Sequence, residues 1–157
     1  MNRRVALAAT CVLLLGSAQS REVHFSEEIE RVLEAPDAIE LWSLEAEPAK
    51  GPAAFYGSLA LGRAALAPGA GADVIRALRA DLAQSFDGIG VAACFIPRHA
   101  LVATRAAKRV VILICFECGR VAAFSGENEE ELPLVSARSK NMLDGLLREH
   151  GVPLATK

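Results

Sequence analysis

Leu101-Val102-Ala103-Thr104-Arg105-Ala106-Ala107-Lys108-Arg109-Val110-Val111-Ile112-Leu113-Ile114-Cys115-Phe116 decides the fold. Two apolar runs flank Arg105-Ala106-Ala107-Lys108, which reads as the turn of a hairpin. With that turn, Thr104 falls opposite Lys108 or Arg109, and paired residue numbers sum to about 212–213. The run Val110 to Phe116 is apolar on both faces, so its strand lies in the middle of a sheet and is covered from both sides.

Working outward, Val91 to Ile96 and Gly119 to Phe124 extend this hairpin into an antiparallel meander. Upstream, Val74, Ile75, Leu78, Leu82 and Phe86 repeat at helical spacing, which predicts a long helix starting near Asp73 and closing at Asp87-Gly88. Pro68-Gly69-Ala70-Gly71 before it reads as a chain break. Its glycines suit a helix-entry turn rather than a phosphate cradle, because no phosphate-loop Lys or Ser/Thr follows. Ala38 to Leu44 and Phe55 to Leu61 read as strands, with Glu45 to Ala54 a loop between them. Ser26 is placed to cap a short helix whose first turn carries Glu27 and Glu28.

At the other end, Ser125 to Glu131 reads as an acidic, solvated loop whose spacing fits no calcium-binding pattern. Ser136 is the expected cap of a last helix with Met142, Leu143, Leu146 and Leu147 inward and Gly151 at its C-terminal turn. Strand runs without βαβ alternation predict an α+β fold, one antiparallel sheet of about five strands packed with two to three helices. Leu78, Leu82, Ile112, Ile114 and Leu146 are its expected core.

The N-terminus reads as an export signal. Asn2-Arg3-Arg4 is a positive start, Val5 to Leu15 is apolar, and Gly16-Ser17-Ala18-Gln19-Ser20 is small and polar. Cleavage before Arg21 or before Gln19 is expected. The apolar run is shorter than the roughly 20 residues a bilayer span needs. Residues 1–20 are thus the expected signal peptide and residues 21–157 a single globular domain, periplasmic or extracellular. A formal net charge of -2, with 17 Lys and Arg against 19 Asp and Glu, argues against nucleic acid as a partner, since a phosphate backbone requires clustered cations.

The chemistry-bearing residues gather in the meander as C-x4-H-x15-C-x2-C, comprising Cys94, His99, Cys115 and Cys118. The hairpin register brings Cys94 close to Cys118, provided Pro97 is absorbed as a bulge. Cys115 and Cys118 point to opposite faces of a straight strand and converge only if Phe116-Glu117 turns the chain, which Gly119 favours. The favoured reading is a disulfide, Cys94 with Cys118 or Cys115, because exported proteins use cysteine in this way. Closing that loop of about 25 residues stabilises by about 3 kcal/mol. A zinc site with Cys94, His99, Cys115 and Cys118 as its four ligands is the alternative, with zinc the corresponding cofactor. A redox C-x-x-C pair and buried, reduced thiols complete the set; a strand rather than a helix follows the pair, unlike thioredoxin-type sites. His99 by itself reads as a hydrogen-bonded structural histidine, and His24 and His150 as solvated. Arg98 is expected to pair with Glu117 or another nearby carboxylate.

Cys94-Phe95-x-Pro97-Arg98-His99 followed by Ile114-Cys115-Phe116-Glu117-Cys118, with Trp42-Ser43-Leu44 before and Gly151-Val152-Pro153-Leu154 after, resembles a group of small uncharacterised exported bacterial proteins. The resemblance runs from about Val32 to Leu154, and only the two cysteine motifs are specific. It implies that the cluster belongs to a shared design and brings no activity with it. No Ser-His-Asp order, paired-carboxylate arrangement or HExxH-type motif points to an enzyme. The expectation is therefore a binding or structural domain, with another envelope protein as its partner.

Overall fold

The computed structural model describes residues 23–51, 54–82, 94–134 and 136–156. The expected signal peptide, the strand residues 91–93 and the helix end at Phe86 to Gly88 lie outside them. The elements run α1 (Glu27–Glu34), β1 (Ala38–Pro48), β2 (Ala54–Phe55), β3 (Ser58–Ala65), α2 (Pro68–Leu82), β4 (His99–Arg105), β5 (Lys108–Cys115), β6 (Arg120–Ser125), β7 (Asn128–Pro133) and α3 (Arg138–Glu149). The fold is α+β, and the described residues place three helices on one antiparallel sheet ordered β2-β3-β1-β4-β5-β6-β7 and curled into a half-barrel.

The β4–β5 register is the expected one: Thr104 pairs with Arg109 and Arg105 with Lys108. β5 lies between β4 and β6, and Val110 to Cys115 are all buried. Alternation along these strands divides the apolar residues between two faces. Leu101, Ala103, Val110, Ile112, Ile114, Val121 and Ala123 join the core beneath the helices, whereas Ala100, Val102, Val111, Leu113 and Ala122 belong to a second cluster on the opposite face. An aromatic row covers that second face. Trp42 stacks on Phe55 at 4.3 Å, and Tyr56 reaches Phe124 at 4.8 Å, so the β2–β3 end folds over toward β6. Register shifts in β1 after Ser43 and after Glu45 provide the bend.

Among the described residues seven strands stand where about five were expected, for two local reasons. Phe55 to Leu61 is not one strand: Tyr56 (φ 49°) and Gly57 (φ 84°) make a tight turn, so Ala54–Phe55 pairs back on β3. The acidic stretch is not a loop either. Gly126 (φ 61°) turns the chain, and Asn128 to Pro133 pairs along β6 as an edge strand. Charged side chains on such an edge discourage pairing with another molecule, which is why its composition reads as solvated.

Helix α2 begins at Pro68, earlier than expected. Proline suits a first helical position because its fixed φ is already helical and its missing N–H has no intrahelical partner there. Gly71 belongs to this helix, and a Cβ at that position would meet Ile39 Cδ1 at 2.3 Å. The glycine is what lets α2 lie against β1.

Helix α3 starts without the expected Ser136 cap. Asp81, at the end of α2 and 1 % exposed, takes that role from across the domain. Its carboxylate accepts the Ser139 N–H at 3.0 Å, the Ser139 hydroxyl at 2.6 Å and the Ser136 hydroxyl. The helix phase differs from expectation too. Leu143 and Leu147 are fully buried, Leu146 is half-buried and Met142 is exposed. Leu78, Leu82, Ile112 and Ile114 are in the core as expected.

Candidate functional site

The end of the sheet where β4 begins and β5 turns into β6 collects the cysteine and histidine motif. β5 ends at Cys115, and Phe116 to Gly119 form a turn in which the Gly119 N–H donates to the Phe116 carbonyl at 3.2 Å. Gly119 has φ 63°, a left-handed conformation that an L side chain resists. This knuckle brings Cys115 and Cys118 together with Cα atoms 5.1 Å apart, and the two are joined as a disulfide. The Cys118 N–H donates to Cys115 Sγ at 3.2 Å. Both bridge residues are buried.

Cys94 is a free, exposed thiol. The bridge thus differs from the expected pairing of Cys94 with Cys118 or Cys115. The physical reason is the turn: β4 begins only at His99, residues 94–97 are not part of the ladder, and the knuckle gives each of the other two cysteines a nearer neighbour. The segment that carries Cys94 nonetheless lies beside Cys118. The Ile96 N–H, two residues from Cys94, donates to Cys118 Sγ at 3.4 Å. Beside it, Phe95 packs on the second apolar face under the Arg120 guanidinium, 5.4 Å from the ring centroid.

His99 lies on the helix-covered face of β4 and is 3 % exposed. Its Nε2 is 2.8 Å from Asp144 Oδ1 of α3, and Lys140 Nζ donates to the other carboxylate oxygen at 2.8 Å. The edge of the His99 ring meets Phe116, with centroids 5.6 Å apart. Burial lowers the His99 pKa, and it outweighs the opposing pull of the Asp144 carboxylate, so the folded imidazole is neutral near pH 7. For Asp144, burial acts to raise the pKa, but hydrogen bonds from Lys140 and His99 prevail and hold it low. An ionised Asp144 accepts from Nε2–H. His99 Nδ1 then carries the lone pair, and it is buried with no hydrogen-bond partner. His99 is thus, as expected, a buried, hydrogen-bonded residue, and its partner Asp144, itself bonded to Lys140, comes from a helix 45 residues further on.

Zinc would need three thiolates and an imidazole nitrogen at one point. Here Cys115 and Cys118 are bonded to each other, Cys94 is exposed, and Nε2 of His99 is held by Asp144. Among the described residues, no group of three or more His, Cys, Asp or Glu side chains is placed to hold a metal ion. Arg98 pairs with Glu45 at 3.3 Å rather than with Glu117, and it also donates to the Thr156 carbonyl, tying the C-terminal tail to β1 and β4. Glu45 accepts from the Thr156 N–H and hydroxyl, and these bonds hold its pKa below the usual value. His150 donates from Nδ1 to the Leu146 carbonyl at 2.8 Å, and His24 is exposed. A separate cleft between α1, β1 and α2, floored by Leu33, Ile39 and Ile75 and edged by Arg76 and Arg79, contains none of the cysteine region.

Sheet, knuckle and bridge together define a helix-backed α+β domain with a C-x-x-C disulfide at one end of its central hairpin. Comparison of the chain with protein-family models, with curated proteins and with solved structures finds no match.

Proposed function

We propose that the chain is an exported single-domain protein that works by binding or as a structural element, with another envelope protein as its partner. The observation that carries this reading is the Cys115–Cys118 bridge, a bond that persists in oxidising compartments and is rare in reducing ones. The charged start, apolar run and small residues of positions 1–20 support the same compartment. The bridge holds the knuckle, the knuckle places Phe116 against His99, and this end of the sheet stays fixed for a partner to dock.

Fractionation of cells producing the full chain tests it. The protein is expected in the periplasm or medium, beginning at Arg21 or Gln19, and cross-linking there should recover it joined to another envelope protein. Recovery of the chain in the cytoplasm with Met1 intact rejects the proposal.

A further inference from the structure

We propose that Cys94 and the Cys115–Cys118 bridge form one thiol–disulfide exchange centre, in which the bond passes from Cys115–Cys118 to Cys94–Cys118. Three observations carry this. The only free thiol among the described cysteines is exposed, on the segment that rests on the bridge. The Ile96 N–H lies 3.4 Å from Cys118 Sγ, and two residues of chain cover about 7 Å at most, so the Cys94 backbone is within about 10 Å of that sulfur. Cys118 Cα lies about 3 Å beyond its sulfur, so the two Cα atoms are at most about 13 Å apart, and a shift of at most about 6 Å at residues 94 and 95 brings them within the bridging distance of about 7 Å.

The third observation sets the direction. Each bridge sulfur receives one N–H, but the Cys118 N–H on Cys115 Sγ, at 3.2 Å, belongs to the knuckle and stays in place, whereas the Ile96 N–H on Cys118 Sγ, at 3.4 Å, belongs to the segment that moves as Cys94 approaches. The knuckle donor stabilises negative charge on Cys115, which makes Cys115 the better leaving group. The Cys94 thiol loses its proton to solvent, and its sulfur attacks Cys118 Sγ. The Cys115–Cys118 bond breaks as the Cys94–Cys118 bond forms. The electron pair leaves on Cys115, which then takes a proton from solvent. One disulfide and one thiol are present before and after, so no oxidant or reductant is consumed. The bond then includes a sulfur that comes from the surface rather than two buried ones, and thiols are the substrate class of the centre.

The tryptic map makes this readable. Cys115 and Cys118 share the peptide Val110–Arg120, whereas Cys94 lies in Ala80–Arg98. The mature protein is held in reduced and oxidised glutathione at mildly alkaline pH, acid-quenched, alkylated and digested. Most wild-type chains should carry the bond within Val110–Arg120 and the alkyl group on Cys94. A minor fraction should show the two peptides cross-linked through Cys118, with the alkyl group on Cys115. Cys115→Ser should move the whole population to Cys94–Cys118, and Cys94→Ser should abolish the cross-linked form. Alkylation of wild type on Cys94 alone at every time point overturns the inference, whether or not Cys115→Ser folds. So does cross-linking shared equally between Cys115 and Cys118, the pattern of an unfolded chain. Recovery of three alkylated cysteines rejects the bridge as well, which separates failure of the proposed function from failure of the exchange.

Discussion

Replacing Asp81 with alanine should cost about 3 kcal/mol of folding stability. The carboxylate accepts from the Ser139 N–H at 3.0 Å, from the Ser139 hydroxyl at 2.6 Å and from the Ser136 hydroxyl. Loss of a helix N-cap costs about 1 kcal/mol. Ser139 is 2 % exposed, so its hydroxyl has no water to turn to, and stranding a buried donor adds about 1–3 kcal/mol. The two contributions overlap, and about 3 kcal/mol is a large part of a typical domain stability of about 5–15 kcal/mol. Urea titration followed by circular dichroism reads it as a lower midpoint with an unchanged slope. Ser139→Ala alone should cost about 1 kcal/mol, and far less in the Asp81→Ala background, where its hydroxyl is already unpartnered. An Asp81→Ala midpoint equal to that of wild type would refute the cross-domain cap.

Gly71→Ala should destabilise by about 1–3 kcal/mol through overpacking, despite the better helix propensity of alanine. Ile39→Val should recover part of that loss, because it removes the Cδ1 that lies 2.3 Å from the added methyl; a stabilised Gly71→Ala variant would contradict the close approach of α2 to β1. Asn-Gly in place of Ala106-Ala107 should raise the melting temperature, since both alanines have positive φ (46° and 65°), a conformation costing about 1–2 kcal/mol for such residues. His99 sets a pH dependence. Its folded pKa is below its ordinary 6.5, so the unfolded chain binds the proton first, and stability complete above pH 6.5 is lost as pH falls below it. Asp144, held below 3.8, adds a second loss at lower pH. Melts of wild type across this range should show both losses, and His99→Gln should lack the first.

The central hairpin was legible in sequence because its signal is local. Val110 to Phe116 is apolar at every position, and Arg105 to Lys108 is the only break, so register follows from counting. The two extra strands were hidden for opposite reasons. β2 is two residues long, and its turn uses Tyr56 where glycine or asparagine would have marked it. β7 is an edge whose glutamates obey solvation rather than sheet alternation. At the candidate site, the knuckle was readable from Gly119, and it made the Cys115–Cys118 pairing geometrically available. The expected Cys94–Cys118 pairing extended the hairpin register through Pro97 as a bulge; the segment does lie beside Cys118, but residues 94–97 are not strand, and the knuckle pairs Cys118 with Cys115 instead. Asp144 was not legible as the partner of His99. Lys140 and Asp144 are four apart on one helix face, but nothing local says that the face lies over β4. Asp81 is the same case, a cap supplied by a helix 55 residues upstream of Ser136.

Thermal unfolding of the exported protein in buffer, in excess reductant and in excess chelator tests the bridge most directly. Cys115 and Cys118 are separated by only 3 in sequence, so the chain-entropy contribution is about 2 kcal/mol, less than a bridge to Cys94 would give. For a chain of this size that corresponds to a fall of about 6 °C in reductant, and the chelator curve should overlay the buffer curve. A melting temperature lowered by chelator and unmoved by reductant would contradict the account and restore zinc at Cys94, His99, Cys115 and Cys118.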